Sequence, residues 1–220
     1  MDRIPEPELM TDPEQARAYA AADFSEPHDH FIELFREHFP GRDISGLVLD
    51  LGCGPADISI RFARAYPGCR VLGVDGARAM LDEGMRAVAA AGLADRVQLM
   101  EGYLPGAALP EVDYAAVISN SLLHHMRDPA DFWQTVAAAA GPGTPVCVMD
   151  LMRPAGLAEA ETLVATHAAD TPAVLRRDFY RSLLAAYRPE EVQDQLLAAG
   201  LAHLSAAAIS DRHWLVAGLQ

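Results

Sequence analysis

Leu47-Val48-Leu49-Asp50-Leu51-Gly52-Cys53-Gly54-Pro55-Ala56-Asp57 is the stretch whose reading decides how this chain folds. A short apolar run with one aspartate reads as a strand buried on both faces of a parallel sheet. Gly52 and Gly54 then permit a tight turn and a close approach of backbone to a ligand, because no Cβ intervenes. A helical stretch follows from about Pro55 to Tyr66 and closes at Pro67-Gly68. Working outward, the same rhythm returns. Strands are expected at Arg70 to Val74, Val97 to Met100, Tyr114 to Ser119 and Pro145 to Asp150. Helices are expected from about Ala77 to Ala91, stopped by Gly92, and after Asp128-Pro129, an N-cap with proline at the first helical position. Strands alternating with helices predict an open, doubly wound α/β sheet with right-handed crossovers.

The ends of the chain break that alternation. The first forty residues read as helices, one capped by Thr11-Asp12-Pro13-Glu14 and one after Pro27 with Phe31, Leu34, Phe35 and Phe39 on one face, ending at Pro40-Gly41. Residues 153–188 read as a helical insertion, with Thr171-Pro172 starting a helix that carries Leu175, Phe179, Leu183 and Tyr187. Pro189-Glu190-Glu191 opens another that ends at Gly200. The runs Ala202 to Ile209 and His213 to Leu219 are joined only by Ser210-Asp211-Arg212, too short for a crossover, so they form an antiparallel hairpin. The expected fold is thus a mostly parallel, seven-stranded sheet with a C-terminal antiparallel hairpin. Residues 1–44 are expected to form a helical cap and residues 45–220 the domain, with 153–188 as a helical insertion in it.

Composition narrows the function. The 220 residues hold 31 acidic and 17 basic side chains, a net charge of −14, with 51% hydrophobic and 22% charged residues. That excludes disorder, and the acidic field disfavours a nucleic-acid substrate. No apolar run is long enough for a membrane span, and the acid- and proline-rich start resembles no signal peptide. Cys53, Cys69 and Cys147 are too scattered for a disulfide framework or a zinc site and read as buried thiols in a reducing compartment, with the cytoplasm as the expected location.

The glycine loop is also informative for what it lacks. A dinucleotide loop asks for Gly-x-Gly-x-x-Gly, and the sixth position counted from Gly52 is Asp57. Carboxylates at Asp50 and Asp57 oppose a pyrophosphate but suit a ligand carrying an ammonium and a sulfonium. Asp75, at the end of the second strand, is placed to accept two ribose hydroxyls.

Asp50-Leu-Gly52-Cys-Gly54-Pro, Asp75, the strand ending Glu101-Gly102, and Asn120 followed by Leu123-His124-His125 and Asp128-Pro129 together resemble the class I S-adenosylmethionine-dependent methyltransferases. The resemblance covers about residues 45 to 220. It implies a Rossmann-like methyltransferase fold, S-adenosylmethionine as methyl donor and S-adenosylhomocysteine as product. It implies that the Asp50–Gly54 loop holds the methionyl part, Asp75 the ribose, and Asn120 the methionine end. Gly102 and Tyr103 would sit beside the adenine, with Gly76 and Met80 nearby. Three positions depart from the family pattern. Ala56 stands for its third glycine, Gly76 for a large apolar residue that stacks on adenine, and Tyr103 for an acid that accepts from the adenine amino group.

Methyl transfer from a sulfonium is an in-line displacement with a neutral leaving group, so alignment and exclusion of water dominate and no fixed triad is required. A base is needed only where the nucleophile carries a proton. His124, His125 and Tyr180 are the candidates, with a structural histidine turn as the favoured reading, and the two adjacent histidines are not expected to face the cofactor together. His28 and His30 read as solvent-facing, and the histidine spacing gives no metal signal. Tyr19, Arg153, Arg177, Tyr180 and Arg181 are the candidate contacts to a small-molecule acceptor. The cluster of Arg176, Arg177 and Arg181 suggests an acidic group on that acceptor. A cofactor-binding protein without turnover and a nicotinamide-dependent oxidoreductase are the alternatives.

Overall fold

A computed structural model describes residues 1–7 and 9–220. The strands are β1 (Gly46–Leu51), β2 (Cys69–Asp75), β3 (Val97–Glu101), β4 (Tyr114–Asn120), β5 (Pro145–Leu151), β6 (Ala206–Ala208) and β7 (His213–Leu219). The helices are α1 (Pro13–Ala20), α2 (Ser25–His38), α3 (Asp57–Ala65), α4 (Arg78–Ala90), α5 (Pro129–Ala139), α6 (Leu157–His167), α7 (Ala173–Ala185) and α8 (Pro189–Ala198). A 3-10 turn occupies Leu123–His125.

The seven strands form one sheet in the order β3-β2-β1-β4-β5-β7-β6. β1 pairs in parallel with both β2 and β4, so the winding reverses between β1 and β4. Ligands in open α/β sheets bind outside the carboxyl ends of the strands at such a reversal. β7 runs antiparallel to β5 on one side and to β6 on the other. The expected hairpin is present, but its antiparallel member lies inside the sheet and β6 takes the edge.

The expected first arm of that hairpin, Ala202 to Ile209, contracts to Ala206–Ala208. Leu201 and Leu204 are both buried, and the Leu204 amide donates to the Leu201 carbonyl. Apolar residues three apart make a turn, whereas strand residues on one face are two apart. The N-terminal expectation also needs correction. Asp12 caps α1 through the amides of Glu14 and Gln15, but residues before it are not helical.

Alternate residues of each central strand enter opposite layers. On one side Val48, Val71, Ile118 and Met149 pack against Phe31 and Phe35 of α2 and Ile58 and Phe62 of α3. On the other, Leu49, Leu51, Val117 and Val148 meet Phe132, Trp133 and Val136 of α5 with Val192 and Leu196 of α8. Phe31, Leu34, Phe35 and Phe39 are all buried, as the helical spacing predicts. α2 is therefore a layer of the core, and α1 with the preceding peptide forms the cover. No helix among the described residues is long and apolar enough to cross a membrane.

Candidate functional site

A cavity of about 500 Å³ opens at the carboxyl ends of β1, β2, β4 and β5, where the winding reverses. Its floor is the glycine loop. The amides of Gly52 and Cys53 both donate to the Val74 carbonyl, at 2.8 and 3.1 Å, which ties the loop to the end of β2. Gly52 has φ +71°, and a Cβ there would lie 2.6 Å from Leu122 Cβ. Gly54 has φ +50° with nothing within 4 Å of a Cβ position. Only glycine accepts both that dihedral and that proximity at position 52, while Gly54 leaves its space to the cavity. Ala56 adopts φ 66°, the left-handed conformation that the family's third glycine would take without strain.

Two carboxylates meet this floor. Asp50 is buried and accepts from Ser59 Oγ of α3, and burial raises its carboxyl from 3.8 to about 7. Asp75 accepts from the Gly54 amide at 2.9 Å through one oxygen and from the Ala77 amide at 2.7 Å through the other. Burial raises its carboxyl too, against those two bonds. A carboxylate offers about four acceptor sites, so Asp75 keeps two for a ligand. Among the described residues no basic side chain pairs with either of these desolvated acids. Asn120, at the end of β4, lines the same cavity with a buried Oδ1 that has no hydrogen-bond partner among the described residues. Ser121 follows with φ 58°, a second strained non-glycine residue at the cavity wall.

The histidine turn differs from expectation. His124 and His125 both line the cavity, with ring centroids 4.1 Å apart. Asp150 of β5 accepts from the His124 backbone amide and pairs with its Nδ1. Burial alone would lower His124, but Asp150 and then Glu6 hold it above its usual value. Burial, then His124 itself, pushes His125 down to about 3. His28, expected at the surface, is instead buried with Nδ1 2.6 Å from Asp57 Oδ2, while His30 is exposed.

Sequence reasoning missed the strap formed by the first residues. Arg3 donates to the carbonyls of Ala185, His124 and Met126 and lies over the Tyr187 ring. Glu6 reaches the histidine turn and accepts from Ser182 Oγ at 2.8 Å. Leu9 lines the cavity, and a Cβ on Gly76 would lie 2.8 Å from its Cδ2 and 3.0 Å from the Tyr103 ring. The strap and Tyr103 thus fill the space that a large residue at position 76 would occupy.

Of the residues proposed for the cofactor, Asp50, Gly52, Gly54, Asp75, Gly76, Met80 and Asn120 line the cavity. Gly102 and Tyr103 do not. Gly102 faces Ala107 and Val74, and Tyr103 is 54% exposed. Of the acceptor candidates, Tyr19 lines the cavity, and burial first, then Asp150, pushes its hydroxyl up to about 12. It therefore stays protonated. Arg153 is a correction: it is buried, donates to the Ala186 carbonyl and pairs with Glu191 outside the cavity. Tyr180, Arg177 and Arg181 lie outside it too, as does Arg176. α7 turns Leu175, Asp178, Phe179 and Ser182 inward, and the helical period leaves the exposed Arg176, Arg177 and Arg181 on the other side. Arg177 pairs with Asp178, and Arg176 donates to the Ala169 and Thr171 carbonyls.

Residues 48–143 match the family model described as a methyltransferase domain. A methyltransferase structure from Methanococcus maripaludis, described as S-adenosylmethionine-dependent, shares 15% identity over 99% of this chain and 97% of its own, with a TM-score of 0.70. One from Aquifex aeolicus, described in the same way, shares 15% over 94% and 97%, with a TM-score of 0.66. A phosphoethanolamine N-methyltransferase of Haemonchus contortus, solved with phosphomonomethylethanolamine and S-adenosylhomocysteine, shares 15% over 82% of this chain and 38% of its own, with a TM-score of 0.63. At these identities the structural likeness establishes the fold.

Proposed function

We propose that this chain, whose residues 48–143 match the methyltransferase-domain family model, is a class I S-adenosylmethionine-dependent methyltransferase that transfers the methyl group of that donor to a small-molecule acceptor. One observation carries the reading. Asp50 and Asp75 are desolvated, face one cavity, and have no cationic partner among the described residues. A ligand that brings positive charge and hydroxyl groups relieves both, whereas Asp50, beside the glycine loop, opposes the pyrophosphate of a nicotinamide dinucleotide.

The residues present fit S-adenosylmethionine. Asp75 would hold the two ribose hydroxyls with its remaining acceptor sites, and the orphaned Asn120 Oδ1 would take a donor from the ammonium end. Asp50 supplies the compensating charge, and Gly54 leaves room for a close backbone approach. When bound, the donor supplies an electrophilic methyl group next to a good leaving group. The chain's own part is to align an acceptor with that methyl and keep water out, which α1, α7 and the strap are built to do by roofing the cavity. Tyr19, Phe24, Leu175 and Phe179 give the roof an apolar lining suited to a small acceptor.

Calorimetry with S-adenosylmethionine, S-adenosylhomocysteine and NAD tests the cofactor assignment. Binding of the first two without the third is expected, and binding of NAD alone would overturn it. Turnover against a metabolite panel, read by mass spectrometry as the gain of one methyl group, separates an enzyme from a passive binder.

A further inference from the structure

Glu6, His124 and His125 lie outside the contacts assigned to the cofactor, and they come from the strap and the histidine turn. Their ligand-type atoms all fall within 4.8 Å of one another. Glu6 Oε1 is 3.5 Å from His124 Nε2 and 3.4 Å from His125 Nδ1. Those separations are long for hydrogen bonds. They match the edge of a coordination tetrahedron, where ligand atoms at about 2.1 Å from the ion stand about 3.4 Å apart. We propose that Glu6, His124 and His125 form a binding site for a divalent transition-metal ion of the zinc type.

Three further observations support this assignment. Asp150 engages His124 Nδ1, which leaves Nε2, 3.5 Å from Glu6 Oε1, as the ring nitrogen available to a metal ion. A carboxylate behind a ligating histidine is the usual outer support of a protein metal site. Ser182 orients Glu6 in the same way through its Oε1. His125 Nδ1 is buried and has no hydrogen-bond partner among the described residues, an expensive arrangement that a metal bond relieves. Charge also balances, since two neutral imidazoles with the carboxylates of Glu6 and Asp150 offset a dication. Two nitrogens and one oxygen favour zinc-like ions over magnesium or calcium, which take oxygen ligands. Three protein ligands leave a position open, and His124 and His125 line the cavity. An ion here would also fasten the strap to the turn.

The proposal stands apart from methyl transfer and is tested on the full chain without cofactor. Protein stripped with a chelator is titrated with Zn²⁺ by calorimetry, and with Co²⁺ by visible absorption. One equivalent is expected to bind with a Kd on the order of 1 μM or tighter, and Co²⁺ should give the strong visible bands of a low-coordinate site. Glu6→Gln and His125→Gln should each weaken Zn²⁺ binding about tenfold or more. Glu6 belongs to the strap and not to the core, so its variant keeps the fold, checked by circular dichroism. Failure to saturate at one equivalent, or Glu6→Gln binding Zn²⁺ as the parent does, overturns the proposal.

Discussion

Replacing Asp75 separates its observed part in the glycine loop from its proposed part as acceptor for the ribose hydroxyls. In the free protein it accepts from the Gly54 and Ala77 amides, and so pins the glycine loop to the start of α4. Asp75→Ala leaves both amides without that acceptor. Each orphaned donor costs about 1–3 kcal/mol when dry, but both border a cavity that water enters, and removing a desolvated carboxylate returns part of the loss. The expected net destabilisation is about 1–2 kcal/mol, measured by urea unfolding. The effect on cofactor should be larger. Two hydroxyl-to-carboxylate bonds at about 1.5–3 kcal/mol each amount to roughly 3–6 kcal/mol, a loss of about 10²- to 10⁴-fold in affinity for S-adenosylhomocysteine by calorimetry. Asp75→Asn should fall between, because an amide has one oxygen and cannot serve both backbone donors. An affinity for S-adenosylhomocysteine within about threefold of the parent in Asp75→Ala, alongside the expected loss of stability, would refute the ribose assignment and leave Asp75 as a loop staple.

Three more outcomes follow from the same geometry. Burial lifts Asp50 to about 7, so the fold holds a proton there that the unfolded chain releases near 3.8; stability should fall as pH rises from about 4 to about 7, by up to the order of 4 kcal/mol. Asp50→Asn should flatten that slope in urea titrations at pH 5 and pH 8, and an unchanged slope would show that Asp50 is not its source. Gly52→Ala forces an alanine to φ +71° and brings its Cβ to 2.6 Å from Leu122, so a loss of about 2–5 kcal/mol is expected by chemical denaturation. On α7, Phe179→Ala should raise the acceptor KM about tenfold or more, while Arg176→Ala and Arg181→Ala leave it within about twofold; a reversal of that order would return the arginine face to the acceptor site.

The alternation of strands and helices and the glycine loop after the first strand were legible in the residues themselves. Those features are local: a short apolar run, two glycines and an aspartate at a strand end each report the burial or dihedral of their own position. Asp50, Gly52, Gly54 and Asp75 could therefore be placed from local pattern, and Asn120 from the family resemblance, and all line the cavity. The roof was different. Helical period in α7 specifies two faces but not which one turns inward, and the arginines drew attention to the exposed one. Tertiary structure alone decided that Leu175, Phe179 and Ser182 face the cavity and that Arg153 is spent on Glu191. It also alone recruited the strap, whose proline-rich start carries no periodicity. Arg3 donates to His124 across 121 residues of chain, a contact set by how the layers pack, which no local pattern encodes.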